Sequence, residues 1–148
     1  MIDLIIFLVH VSSTLIMFGI IWFVQLAHYP LLGYIGRKEF VGYEKAYVQK
    51  IMPYAILVLS AELITGILLV WIKPPNISFV QVLSGLILLA VIWLSTWVIQ
   101  VPLHKKLGFG FDKKSHDLLV KSNWVRTGAW TLRAFLVIWM LMGFIVYK

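Results

Sequence analysis

Two histidines, two glutamines, a glutamate and two arginines stand in stretches that are otherwise apolar, and their spacing sets the chemistry open to this chain. Gln25 and His28 are three residues apart and Gln100 and His104 four apart, so on a helix each pair shares one face. Two imidazoles at one level can ligate a metal ion or a single haem iron, with the glutamines behind them or against a substrate. Glu62 is suited to carry a proton, and Arg133 to hold an anionic substrate group or keep Glu62 ionised. Tyr54, Val58 and Glu62 fall along one helical face, which places a phenol on the way to that carboxyl. Arg126, Trp130 and Arg133 are spaced four and three apart, so the indole can stack on either guanidinium, and Asn123 precedes them by one turn. Glu62, Arg133 and Tyr54 are thus the candidate catalytic residues. His28, His104, Gln25, Gln100, Arg126, Trp130 and Asn123 are candidate cofactor-binding residues, with His28 and His104 the metal ligands. The plain alternatives are a structural Glu62–Arg133 ion pair, histidines that only present polar tips to the headgroup layer, and aromatic residues that only pack.

These residues must be positioned by membrane helices. Hydrophobic residues make up 61% of the 148 and charged residues 13%, too little polar surface for a soluble domain of this size. Four apolar runs, at about Leu4–Leu32, Ile51–Ile72, Ile77–Leu103 and Trp124–Tyr147, are long enough to cross roughly 30 Å of hydrocarbon. In lipid each must be a helix, since backbone polar groups have to be satisfied within the segment. The expected fold is all-α: one four-helix transmembrane domain spanning residues 1–148. Asp3 and the lack of a small-residue cleavage site keep the first run as a helix rather than a signal peptide.

Basic residues orient the bundle. Arg37, Lys38, Lys45 and Lys50 lie between the first two runs, and Lys105, Lys106, Lys113, Lys114 and Lys121 between the last two. Lys73 and Lys148 are the only ones on the other side. The rule that cytoplasmic loops carry the excess of Lys and Arg puts both basic loops in the cytoplasm and both termini outside. It also accounts for the net charge of +7 without nucleic acid, for which no motif is present. Phe40, Tyr43 and Tyr47 suit a short interfacial helix that runs into the second span. Asp112 is placed to cap a helix running into the fourth.

The sequence hints at a duplicated helical hairpin. Trp22 to Gln25, then His28 and Pro30, is echoed by Trp97 to Gln100, then Pro102 and His104, at an offset of 75 that also aligns Leu32-Gly33 with Leu107-Gly108. His10 stands alone near the outer side, so a second bis-histidine haem has no ligands, and His116 reads as a solvated loop residue. Without cysteine there is no disulfide, thiolate site or cysteine nucleophile. Nucleotide-binding, zinc-protease and serine-elbow motifs are also lacking.

At His28–Gly33 (HYPLLG), Val101–Asp112 (VPLHKKLGFGFD) and Asn123–Leu141 (NWVRTGAWTLRAFLVIWML) the chain resembles a family of small bacterial four-helix integral membrane proteins without assigned function. The NWVR segment and the four-helix outline are also similar to the anthrone oxygenase-like membrane proteins, which act on polyketide aromatics. The first resemblance implies a bacterial inner-membrane protein, and the second a buried site for an apolar substrate. The resulting expectation is a polar site near the cytoplasmic leaflet that binds a metal, a haem or a lipophilic small molecule, as in a membrane oxidoreductase or oxygenase. A non-catalytic accessory subunit is the rival reading. A proton or ion transporter is the third, and it would need a homo-oligomer to form a conduit.

Overall fold

The computed structural model describes residues 1–146, so Tyr147, where the fourth predicted span ends, and Lys148 lie outside the described residues. Four helices account for most of the chain: α1 (Ile2–Leu32), α2 (Arg37–Leu68), α3 (Phe79–Leu107) and α4 (Lys113–Val146). Each is long and apolar enough to cross a membrane, and no strand occurs among the described residues. The interfacial helix expected at Phe40–Tyr47 is continuous with α2, and the helix expected after Asp112 is continuous with α4.

Local chemistry fixes the ends. Ser78 accepts from the Gln81 amide at 3.2 Å while the Gln81 side chain accepts from the Ser78 amide at 2.8 Å, a reciprocal cap that starts α3. Before it, Lys73 donates to the Ile77 carbonyl at 3.0 Å across the two prolines, and Asn76 takes a positive φ of 65° to close the turn. The Asp112 carboxylate accepts from the Ser115 amide at 3.1 Å, capping α4, and from the Lys106 ammonium at 2.8 Å. That ammonium, together with the Ser115 hydroxyl and amide, holds the Asp112 carboxyl well below the usual carboxylate range.

α1 and α3 are each interrupted by one turn of π-helix, at Val24–His28 and Thr96–Gln100. The Tyr29 amide reaches back to the Val24 carbonyl and the Val101 amide to Thr96, five residues each. Pro30 and Pro102 each follow after one intervening residue. Neither has an N–H, so the break each forces in the ladder falls where the helix has already changed step. The extra residue turns everything beyond it by about 100° relative to an unbroken α-helix. The π segments and prolines repeat at an offset of 72, three short of the 75 that aligns Gln25 with Gln100. Gln25 therefore stands near the start of its π turn and Gln100 at the end of the other.

α1 packs on α2 and α4, and α3 packs on α4 and less extensively on α2. Apolar side chains form three layers. Phe7, Leu69, Val82 and Val137 fill the end away from the basic loops; Met17, Leu59, Ile92 and Trp130 fill the middle; Leu32, Phe40, Leu107 and Leu119 fill the basic-loop end. α2 alone departs from this regular burial. It buries Phe40 and Glu44, then nothing until Leu59. Over residues 48–57, about 15 Å of helix between the half-buried Tyr47 and Val58, it stands off the bundle. Pro53 lies within that stretch.

Candidate functional site

The polar residues sort into two clusters at different heights. The first lies between the outer and middle apolar layers. Arg133 Nε donates to Glu62 Oε1 at 2.9 Å and its Nη2 lies 2.8 Å from the same oxygen. Thr14 donates to Glu62 Oε1 at 2.9 Å, and the Trp130 indole to Oε2 at 3.3 Å. Arg133 also donates to the Gly85 carbonyl, and its Nη2 lies 3.4 Å from both Thr14 Oγ1 and His10 Nε2. The other ring nitrogen of His10 meets Thr65 Oγ1 at 3.0 Å. Glu62 and Arg133 are 0% and 1% exposed. The adjoining cavity, between His10, Gly66, Gly85 and Arg133, is about 10 Å³, at the lower limit for one water. The cluster ties all four helices together and leaves no room for a ligand.

The second cluster sits at the basic-loop end, where the π turns rotate Tyr29 and His104 inward. His104 Nδ1 lies 2.5 Å from Glu44 Oε1, and Nε2 lies 2.9 Å from the Tyr29 hydroxyl. With Nδ1–H donated to the carboxylate, Nε2 is the acceptor and the Tyr29 hydroxyl donates to it. This Tyr–His–Glu chain spans α1, α3 and α2. Glu44 is 1% exposed and His104 16%. His116 Nε2 lies 2.7 Å from the Tyr29 carbonyl and fixes that segment from α4. It is buried, not the solvated loop residue the sequence suggested. The Tyr47 ring stacks on His28, with centroids 3.9 Å apart, and lies 5.9 Å from the His104 ring.

Between the clusters, Gln25 reaches α4: Asn123 Nδ2 donates to Gln25 Oε1 at 2.9 Å, and Gln25 Nε2 to the Val120 carbonyl at 3.3 Å. Gln100 accepts from Ser95 at 3.1 Å and donates to Ser122 at 3.3 Å. The Arg126 guanidinium lies 5.5 Å over the Trp130 ring and beside the Tyr29 hydroxyl.

This geometry divides what the sequence had joined. His10 and His28 are eighteen residues apart on α1, Glu44 and Glu62 eighteen on α2, and Gly85 and His104 nineteen on α3. Each spacing gives about 27 Å along the bundle. Glu62 and Arg133 therefore belong to a different place from His28 and His104. Tyr54 belongs to neither: it is 72% exposed. Eight residues are slightly more than two turns, so Tyr54 is rotated about 80° from Glu62, and α2 has already left the bundle there.

The metal and haem expectation also needs correction. Both nitrogens of His104 are engaged by Glu44 and Tyr29, and the Tyr47 ring stacks directly on His28, where a ligand shared between the two imidazoles would lie. Among the described residues no group of three His, Cys, Asp or Glu side chains is placed to hold a metal ion. The donor set fits neither group.

Sequence reasoning missed Glu44, Tyr29 and Tyr47 as partners of His104. The signal was present: Phe40, Glu44 and Tyr47 fall at i, i+4 and i+7, one stripe of α2. Grouping Phe40, Tyr43 and Tyr47 as the apolar side of an interfacial helix left Glu44 off that side, and Tyr43 is in fact exposed.

Among the described residues, five buried polar atoms have no hydrogen-bond partner: His28 Nε2, Glu44 Oε2, Trp93 Nε1, Asn123 Oδ1 and Arg126 Nε. None belongs to the Glu62–Arg133 cluster. All lie in the half of the bundle where α2 stands off, which makes that half the candidate site. No protein-family model matches the chain, and no curated protein or solved structure matches it either.

Proposed function

We propose that the chain is an integral protein of the bacterial inner membrane, with both basic loops cytoplasmic, that binds a lipophilic small molecule in the gap between α2 and the rest of the bundle. The observation that carries this reading is the gathering of partnerless buried polar atoms beside the one helix stretch that buries nothing. Buried polar atoms are normally partnered, and a set of them beside a gap suits a bound molecule that supplies the missing partners. The Tyr29–His104–Glu44 chain gives the site an acid–base group. Glu44 orients the imidazole, the imidazole takes the hydroxyl proton, and Tyr29 can then accept a proton from the ligand or return one.

An oxidoreductase or oxygenase acting on such a ligand, as the likeness to the anthrone oxygenase-like proteins implies, would use Tyr29 in that role. Tyr54, lying outside, has no part in it. The rival reading, residues acting as interhelical glue, is favoured for Glu62 and Arg133, because each of their polar atoms meets a partner within the chain.

The test is organic extraction of the protein purified in mild detergent, with mass spectrometry of the extract, for the natural chain and for Ala55→Trp. Ala55 is half-buried in the middle of the stand-off, so an indole there fills the gap. A compound retained by the first and lost from a folded second supports the reading. Identical extracts from both would sink it.

A further inference from the structure

We infer that the ligand of this gap is a single-tailed amphiphile with a small anionic head, a carboxylate or phenolate, held by Arg126 and Trp93. This inference rests on the ligand-binding reading above and names the class of molecule.

Arg126 Nε and Trp93 Nε1 are buried and have no acceptor. Both groups are donors only, so what they lack can be supplied by an acceptor and by nothing else. They belong to one layer. Trp93 packs in the cluster that contains Trp130, and the Arg126 guanidinium lies over the Trp130 ring. Their heights are close: from the Gln100–Ser122 contact, which sets α3 and α4 level, Trp93 is seven residues further in and Arg126 four, about 10 and 6 Å, within about one turn of each other.

Charge then selects the kind of acceptor. The two carboxylates of the bundle interior are taken, Glu62 by Arg133 and Glu44 by His104. Among the described residues Arg126 makes no ion pair. A buried guanidinium Nε with neither an acceptor nor a counter-ion is costly, and an anion brought by the ligand removes that cost. Arg126 presents a planar fork suited to two oxygens, and Trp93 adds one further N–H.

The remaining shape argues for one tail. The head must reach the level of Arg126 and Trp93, inward of the Gln100–Ser122 contact, and the apolar part must leave sideways along residues 48–57 of α2, whose Ile51, Ile56 and Leu57 are exposed. A carboxylate or phenolate on one chain can do this. A phospholipid would have to draw its phosphate and a second chain to that level, past the Tyr47–His28 stack.

The experiment uses the full chain in non-ionic detergent, with tryptophan quenching by 9,10-dibromostearate and by its methyl ester. The acid is expected to quench saturably and at least tenfold more tightly than the ester, with oleate competing and dioleoyl phosphatidylglycerol not. Arg126→Gln should weaken the acid about tenfold and leave the ester unchanged. Trp93→Phe, which keeps the charge and most of the packing, should weaken the acid severalfold on the remaining tryptophans. That second variant decides the matter if Arg126→Gln does not fold. Equal saturable binding of acid and ester, indifferent to both substitutions, overturns the anionic class while leaving a lipophilic site in place. Competition by phosphatidylglycerol equal to that by oleate overturns the single-tailed class. Failure of either probe to bind saturably takes down both the inference and the reading beneath it.

Discussion

Removing Glu62 or Arg133 singly should cost far more than removing both. Glu62→Gln leaves the Arg133 guanidinium, 1% exposed, without an anion, and Arg133→Gln leaves the fully buried Glu62 carboxylate with only Thr14 and Trp130. Breaking a buried pair from one side costs about 3–5 kcal/mol, because the survivor is an uncompensated charge. The double replacement removes both charges. It then loses about 1 kcal/mol for each neutral hydrogen bond left unmade, among them those to Thr14, Trp130 and the Gly85 carbonyl, so it should cost about 1–3 kcal/mol. Adding the two single costs would give about 6–10 kcal/mol, so the coupling is at least about 3 kcal/mol and opposes the sum. Ordinary polar contacts between membrane helices average about 0.6 kcal/mol, which makes the difference easy to resolve. The measurement is reversible unfolding in mixed micelles by steric trapping or a detergent titration, for the three variants and the natural chain. Single costs below about 1 kcal/mol that simply add in the double variant would refute the view that this cluster is a charge-neutral joint sealed from solvent.

Four further outcomes are expected. Single cysteines at Lys38 and Lys114, in a chain with no cysteine of its own, should react with a membrane-impermeant maleimide only from the cytoplasmic side, and one at Lys73 only from the other; the same side for all three would break the topology. Protein purified in mild detergent should show no Soret band and less than about one-tenth equivalent of iron, copper or zinc, given the filled donor set; a stoichiometric metal lost in His28→Ala/His104→Ala would reverse that conclusion. Tyr29→Phe should fold with a loss of about 1–2 kcal/mol, from the unmade bond to His104, and leave extracted ligand bound but its acid–base exchange slowed; loss of binding instead would make Tyr29 a ligand contact. The Asp112 cap should persist well into acid. Its carboxyl titrates below the usual range in the folded chain, so its contribution is complete at neutral pH, declines as the pH falls below the ordinary carboxylate value and is lost as it falls through the lowered one. Amide exchange at Ser115 and His116 should rise there, and Asp112→Asn should abolish the pH dependence; a rise beginning near neutral pH would contradict the lowered value.

The sequence shows the four helices because bilayer thickness imposes a length and an apolarity that few other constraints imitate. It also shows that Glu62 and Arg133 meet, since two opposite charges at similar depth have few other partners in hydrocarbon. What it hides is rotation. The Tyr29–His104 contact depends on two π turns, each adding one residue to a turn of Val, Leu, Ile and Trp that reads as ordinary helix. Pro30 and Pro102 mark where something must give, but not that the ladder lengthens instead of kinking. Tyr54 failed for a related reason. Periodicity places it near one face with Glu62, and nothing in the residue types says that α2 draws away from its neighbours after Tyr47.

Those π turns carry a consequence for how such a chain can change over time. A helix with a spare residue works as a clutch between its two ends. Substitutions above Val24 or Thr96 can adjust the sealed joint around Glu62, and substitutions below them can reshape the chamber around His104, without either end dragging the other out of phase. Loss of a single residue from one π turn would engage the clutch, swinging Tyr29 or His104 about a quarter-turn away from its partner while the far end stayed assembled. Descendants of this chain are thus free to exchange ligands at one end while inheriting, unaltered, the fastening at the other.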